Sequence, residues 1–212
     1  MAAAAAKARL QRLVIWDFDD TILRIHACGL LISPAAAAVR PLEGDVADLP
    51  FFRSCVDAVV AHGHLVAVAS FGHYAVIQAY MDRICPGRFS CVCRSRQLGP
   101  LCVLTPPPNR RSNISTPTEV GIPDGFEVPA GKVLQLEKLL STLVLGGSPQ
   151  RDANLQQVVF FDDSQRNVDR AIAAGYEHSY VVPKGGFTRA AWERMGVRPE
   201  DADLLLLGAG PL

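Results

Sequence analysis

Residues 13–21 read LVIWDFDDT, and this stretch decides the fold. Its first four residues, 13–16, are all apolar and do not alternate with polar ones. Such a run is typical of a strand that is buried on both faces of a parallel sheet. Because α/β sheets bind ligands at the carboxyl ends of their strands, we expect Asp17 and Asp19 to lie at a ligand site.

A second acidic pair, Asp162 and Asp163, follows the apolar run VVFF at 158–161 in the same way. Two parallel strands that both end in carboxylates bring those groups within reach of one ion. Carboxylates repel each other at neutral pH, and Mg²⁺, which prefers oxygen ligands, offsets that repulsion. A helix cap or a solvated turn explains one such pair equally well, but less well when both pairs follow apolar strands.

The rest of the chain alternates between strand and helix patterns. Apolar runs at 65–69 and 180–182 predict two more strands. Apolar residues with helical spacing lie between the runs, at 52–60, 133–143 and 168–172, and two of these segments end at Gly63 and Gly175. This alternation predicts an α/β chain, a three-layer Rossmann-like fold with a central, mostly parallel sheet.

We expect one domain over residues 1–212. Residues 1–11 are Ala-rich and predict a flexible tail that leads into the first strand. The segment 99–130 is rich in proline, which predicts a loop or small insertion that is either disordered or near the active site. Arg110 and Arg111 within it either meet an anionic substrate or are solvated loop charges.

Composition narrows the function. The formal net charge is zero, so we expect no nucleic-acid partner, and no apolar run is long enough to predict a membrane partner. Six cysteines without a CxxC pair fit neither a disulfide scaffold nor a common zinc pattern and indicate a reducing compartment. We expect a cytoplasmic location, with a mitochondrial transit peptide as the alternative, and make no prediction of the oligomeric state.

Two further residues complete the candidate site. Ser70 follows the run at 65–69, where its hydroxyl and the N–H groups of Phe71 and Gly72 could donate to phosphate. Lys132 begins a predicted helix and could balance an aspartate and a phosphoryl group, with Lys138 as the nearby alternative. Considered alone, Ser70 is better explained as a helix cap and Lys132 as a solvated charge.

Together these residues resemble the Mg²⁺-dependent phosphatases of the haloacid dehalogenase superfamily. The family's four motifs correspond to VIWDFDDTIL, Ser70, Lys132 and VVFFDDSQRN, in that order, and the resemblance covers residues 13–176. The segment FFDDSQRN also resembles the small capless magnesium-dependent phosphatases. The segments 22–50 and 70–132 are short for a cap domain, so the resemblance implies a minimal cap and an open site.

The resemblance implies a role for each residue. Asp17 would attack phosphorus and form an aspartyl-phosphate, and Asp19 would act as general acid and then as general base. Mg²⁺ would be bound by Asp17, the backbone carbonyl of Asp19 and Asp163, with Asp162 either a ligand or a neighbour. Phosphate would be bound by Ser70, Phe71, Gly72 and Lys132. Thr21 and Asn167 would support these ligands, and Asn167 stands where the family often has Asp.

The resemblance therefore implies a Mg²⁺-dependent phosphomonoester hydrolase whose partner is a phosphorylated small molecule or phosphoprotein. Two alternatives stay open. One is a phosphotransferase or phosphomutase with the same nucleophile, and the other is a non-catalytic phosphate-binding module on the same fold. A dehalogenase is disfavoured because its chemistry needs no metal, which leaves the second acidic pair without a purpose.

Overall fold

The computed structural model describes residues 11–89, 91–92, 111–122, 130–144 and 152–206. The predicted tail therefore lies outside the described residues except for Gln11, as does most of the Pro-rich segment 99–130. Arg110 also lies outside them, and only the backbone of Arg111 is described.

The described residues form a five-stranded, all-parallel central sheet with helices, an α/β architecture. The strands are β1 (Leu13–Trp16), β2 (Leu65–Ala69), β3 (Cys91–Val92), β4 (Arg111–Ser112), β5 (Ile114–Ser115), β6 (Val158–Asp162) and β7 (His178–Val181). In the sheet the order is β5-β2-β1-β6-β7, while β3 and β4 form a separate antiparallel pair. At the end of β1, Trp16 lies opposite Val68 of β2 and Phe161 of β6, so these strands end together.

Helices cover both faces of the sheet. They are α1 (Pro34–Ala37), α2 (Leu42–Asp45), α3 (Leu49–Ala61), α4 (Tyr74–Ile84), α5 (Val133–Leu143), α6 (Gln165–Ala173), α7 (Arg189–Trp192) and α8 (Pro199–Leu205). Val14 and Trp16 pack into one core with α3, α4 and α8, whereas Leu13 and Ile15 pack into the other with α5 and α6. Because both faces of β1 are buried, its sequence is apolar without alternation, as predicted.

Some predicted elements differ from the observed ones. The last strand begins at His178, two residues before the predicted run. The sequence also predicts a strand near residues 89–93; the structure has β3 there, which pairs with β4 outside the main sheet. The sheet edge next to β2 is instead β5, from the Pro-rich segment, where proline content argued against regular structure. Ile172 was expected on the buried face of its helix but is 45% exposed, because α6 packs through Val168 and Ala171.

The segment between β1 and α3 contains little regular structure. We call residues 24–48 the flap segment; it contains only the one-turn helices α1 and α2. Asp45 accepts a hydrogen bond from the Tyr80 hydroxyl (2.6 Å) and pairs with Arg40. Arg83 donates to the Ala37 carbonyl at 2.8 Å. The flap segment is thus tied to α4 at two points.

Candidate functional site

The carboxyl end of β1 fixes the position of Asp17. The Asp17 N–H donates to the Phe161 carbonyl of β6 at 2.8 Å, which continues the sheet pairing by one residue. One carboxylate oxygen of Asp17, Oδ1, accepts from the Phe18 N–H at 2.6 Å. The chain then makes one wide turn over Phe18–Ile22, in which Asp19 is extended and Asp20 has a positive φ of 55°. Asp19 and Asp20 therefore both lie in this turn, directly after the end of β1.

The predicted acidic cluster is present. Among the described residues, Asp17, Asp162 and Asp163 each offer a carboxylate oxygen, and these oxygens all lie within 4.8 Å of one another. The two strand ends therefore meet as expected from their parallel arrangement. Three carboxylate donors at this spacing match the ligand preference of Mg²⁺ and could hold such an ion.

The two members of the second pair differ in their surroundings. Asp162 is fully buried, and its oxygens accept from the Ser164 N–H (2.9 Å), from Asn167 Nδ2 (3.1 Å) and from Lys132 Nζ (2.8 Å). Asp163 is exposed, and its N–H donates to Thr21 Oγ1 at 3.1 Å. The buried Asp162 carboxylate thus holds Ser164, Asn167 and Lys132 in place, while the Asp163 carboxylate is on the solvent side. Thr21 and Asn167 both contact the acidic pair, as expected.

Lys132 belongs to the site and is not a solvated charge. Its side chain is 2% exposed, and its ammonium contacts both Asp17 Oδ1 and Asp162 Oδ2. The same ammonium lies 5.2 Å from the centre of the Phe71 ring. The alternative, Lys138, lies on the exposed side of the same helix. The buried Lys132 ammonium therefore joins the residue that follows β1, Asp17, to the last residue of β6, Asp162.

Burial and charge shift the pKa values of this cluster. Burial raises the pKa of Asp17 well above its ordinary value of 3.8, and the Lys132 ammonium only partly offsets the effect. Partial desolvation raises the pKa of the more exposed Asp163, and the neighbouring Asp162 carboxylate raises it further. Burial alone would lower the pKa of Lys132, but Asp162 and Asp17 together outweigh it and raise that pKa. Lys132 is therefore charged, and the cluster can neutralise further positive charge.

Asp19 is not one of the three clustered carboxylates. Its Oδ1 accepts from the Ala27 N–H at 2.8 Å, and its Oδ2 is 3.8 Å from His26 Nε2. Burial raises the pKa of Asp19, and the hydrogen bond from Ala27 only partly opposes this shift. A carboxyl group with a raised pKa can hold a proton closer to neutral pH, which suits acid–base chemistry.

Ser70 and Gly72 lie beside Asp19. Ser70 is 1% exposed, and its Oγ accepts from the Gly72 N–H at 3.0 Å. The helix-cap interpretation of Ser70 is wrong, because α4 begins at Tyr74 with His73 as its N-cap. A Cβ placed on Gly72 would lie 3.3 Å from Ser70 Oγ and 3.6 Å from Asp19 Oδ2. The Gly72 N–H is thus already engaged by Ser70 rather than directed at a ligand.

Sequence reasoning missed Gln135. This side chain is 1% exposed, and its Nε2 donates to the Ser70 carbonyl (2.7 Å) and to the Ser115 carbonyl (3.3 Å). It thereby ties the ends of β2 and β5 to the helix that follows Lys132. The available signal was a polar residue beside Leu136 on the buried face of an amphipathic helix.

No protein-family model matches the sequence, and no curated protein is similar to it. Within the described part of the chain, no helix has the length and apolar character needed to cross a membrane.

Proposed function

We propose that the chain is a Mg²⁺-dependent phosphomonoester hydrolase with the Rossmann-like fold of the haloacid dehalogenase superfamily. The observation that carries the proposal is the contact of one buried ammonium, Lys132, with Asp17 and Asp162, beside the exposed Asp163. The motif order supports the same assignment. In this cluster a candidate nucleophile, Asp17, the Lys132 ammonium and carboxylate oxygens that could bind a metal lie together at the carboxyl ends of β1 and β6.

Asp17 is the nucleophile in this proposal. Its Oδ1 is held by the Phe18 N–H and by Lys132, so we assign Oδ2 to the attack on phosphorus. A bond forms between Oδ2 and phosphorus while the bond from phosphorus to the ester oxygen breaks. Asp19 donates its proton to the leaving alkoxide, which departs as an alcohol. Asp19 then accepts a proton from the water that attacks phosphorus, which releases phosphate and restores Asp17.

The remaining residues bind and orient the phosphate. Asp17 and Asp163 would hold Mg²⁺, with Asp162 behind them, and a bound Mg²⁺ offsets negative charge on the phosphate oxygens. An ammonium group has three N–H donors. Lys132 directs two of them at Asp17 and Asp162, which leaves a third for a phosphate oxygen. The Ser70 hydroxyl supplies a further donor.

Hydrolysis of para-nitrophenyl phosphate tests the proposal. Turnover should require Mg²⁺ and should be lost in Asp17→Asn. The matched control is Asp20→Asn, since Asp20 is an exposed carboxylate in the same turn and should leave turnover within about twofold, as surface changes do. Absence of turnover by the unmodified protein with Mg²⁺ would contradict the proposal and favour a phosphate-binding module.

A second measurement separates hydrolysis from transfer. A phosphoryl group on Asp17 should be recovered as a label that hydroxylamine removes, and that is absent in Asp17→Asn. Transfer of the label to an added alcohol in preference to water would favour the phosphotransferase alternative. Mg²⁺ should also raise the melting temperature of the protein, and this rise should be smaller in Asp163→Asn, which tests the ion site independently of turnover.

A further inference from the structure

A cleft of about 420 Å³ opens beside Asp19, between the flap segment and the first turn of α4. Its apolar lining includes Phe18, Ala27, Leu31, Ile32, Val76 and Ile77. Among the described residues that line this cleft, none is a lysine or arginine, and the one carboxylate is Asp19. The lining also includes the polar residues Ser33 and His73, so the cleft combines a mostly apolar wall with a single acid, Asp19.

The acid and the apolar wall are close together. The position of a Cβ on Gly72 lies 3.6 Å from Asp19 Oδ2 and 3.7 Å from Ile77 Cδ1, so Gly72 lies between the two. Phe18 and Ile77 are almost fully buried and form the floor. A group that receives a proton from Asp19 would thus extend directly over an apolar surface.

Leu31, in the flap segment, forms the outer wall of the cleft and has an unusual backbone conformation. Leu31 has a φ of +52°, a conformation that leucine adopts at an energetic cost, and its side chain is 89% exposed. Strained backbone of this kind clusters at binding sites, and an exposed leucine gains free energy when an apolar ligand covers it. Leu31 therefore offers an exposed apolar side chain at the edge of the cleft, where an apolar ligand would cover it.

We propose that this cleft binds the leaving group of the phosphomonoester, and that this group is a small, uncharged, apolar alkyl or aryl alcohol. The proposal rests on the proposed function, since Asp19 must face the leaving oxygen. A sugar would bury hydroxyl groups against apolar side chains, which costs free energy without new hydrogen bonds. A second phosphate or a carboxylate would meet Asp19 without a lysine or arginine in the described lining to balance it.

A comparison of matched esters tests the substrate class. Hexyl phosphate and glucose 6-phosphate are both six-carbon primary alkyl esters, so their bond-breaking chemistry is similar and their polarity differs. We expect kcat/KM for hexyl phosphate to exceed that for glucose 6-phosphate by about tenfold or more, since the sugar hydroxyls are costly to bury. We expect it to exceed kcat/KM for ethyl phosphate by about tenfold or more as well, since each additional buried methylene favours binding. Equal values for hexyl and ethyl phosphate, or a preference for the sugar, would overturn the proposal.

Leu31→Asn tests the outer wall without disturbing the backbone, because asparagine tolerates positive φ better than leucine does. The variant should lower kcat/KM for hexyl phosphate by about fivefold, a larger loss than for ethyl phosphate, whose shorter chain covers less apolar surface. The control is Val39→Asn, which changes an apolar residue that is 79% exposed and outside the cleft lining. An equal loss in both variants, or no loss in Leu31→Asn, would contradict a role for Leu31.

Cys28 offers a readout that does not depend on turnover. It is an exposed cysteine in the cleft lining, whereas Cys55 and Cys85 are buried and burial raises the pKa of each thiol to about 12. Hexylphosphonate, which cannot be hydrolysed, should slow maleimide labelling of the Cys28 peptide, and methylphosphonate should not. Protection without turnover of any ester would overturn the proposed hydrolysis but support the apolar cleft. Turnover without protection would overturn the cleft alone.

Discussion

The ammonium of Lys132 lies 2.8 Å from a carboxylate oxygen of Asp162, and both side chains are withdrawn from solvent. Because Lys132 also contacts Asp17, its removal would leave two buried carboxylates without their cation. We expect Lys132→Met to lower the free energy of unfolding by about 3–5 kcal/mol. Urea denaturation with a chelator present measures this loss.

Two further variants make that prediction specific. Lys138→Met changes an exposed lysine on the same helix and should leave stability within about 0.5 kcal/mol of the parent. The double variant Lys132→Met with Asp162→Asn removes one of the stranded charges and should recover part of the loss. Equal stability of the two single variants would show that the buried contact contributes nothing.

Gly131 precedes Lys132 and has a φ of +60°. A Cβ added at Gly131 would lie 3.0 Å from Asn167 Oδ1. The Nδ2 group of the same side chain donates to Asp162, so this hydrogen bond would be disturbed. Gly196 has the same φ but open space around it, so Gly196→Ala isolates the backbone cost, about 1–2 kcal/mol. We expect Gly131→Ala to be less stable than Gly196→Ala, and only Gly131→Ala to lose the proposed phosphatase activity. Thermal melts and kcat measurements decide between this result and equal effects.

The contribution of Asp45 to the stability of the fold depends on pH. The hydrogen bond from Arg40 holds the pKa of Asp45 below its ordinary value of 3.8, so the charged carboxylate stabilises the fold at and above neutral pH. This contribution is lost as the pH falls below 3.8 and through the folded-state pKa. We expect Asp45→Asn to cost about 1–3 kcal/mol at neutral pH.

The stability difference between Asp45→Asn and the parent should narrow in acid. Urea denaturation of both proteins over a pH series measures it, because carboxylates shared by the two proteins cancel in the difference. A gap that is constant with pH would contradict the assigned role of the Arg40–Asp45 pair.

Gln135 positions Ser70 through the backbone. Gln135→Leu keeps a similar volume but removes the donor to the Ser70 and Ser115 carbonyls, and should cost about 1–3 kcal/mol. If Ser70 binds phosphate, KM should rise more than kcat falls. Ser141→Ala, an exposed change on the same helix, is the control. A loss of stability with unchanged KM would indicate that Gln135 has a purely structural role.

The sequence was sufficient to place the acidic cluster. Leu13–Trp16 and the run at 158–161 are short and uniformly apolar, so two parallel strands followed, and parallel strands end on one edge of the sheet. The proximity of Asp17 to Asp162 and Asp163 follows from that geometry alone. The burial of Lys132 does not, because a lone lysine is solvated in most contexts and its two partners are distant in sequence.

Other features left no local signal. β5 is only two residues long and follows a Pro-rich stretch, so periodicity could not reveal it. Asp201 in α8 is fully buried, accepts from Arg12 Nη2 at 2.5 Å and lies 2.7 Å from His178 Nδ1. From sequence alone, an aspartate in a polar segment such as Asp201 is expected to be solvated. Its partners, Arg12 and His178, come close to it only in the folded chain.

The flap segment and α4 form opposite walls of the cleft, and Tyr80 and Arg83 fasten one wall to the other. We expect an entrance whose sides are joined in this way to keep a constant width. In the proposed function, a ligand would then enter and leave by diffusion through a rigid mouth, and solvent viscosity would affect the rate only through encounter and escape.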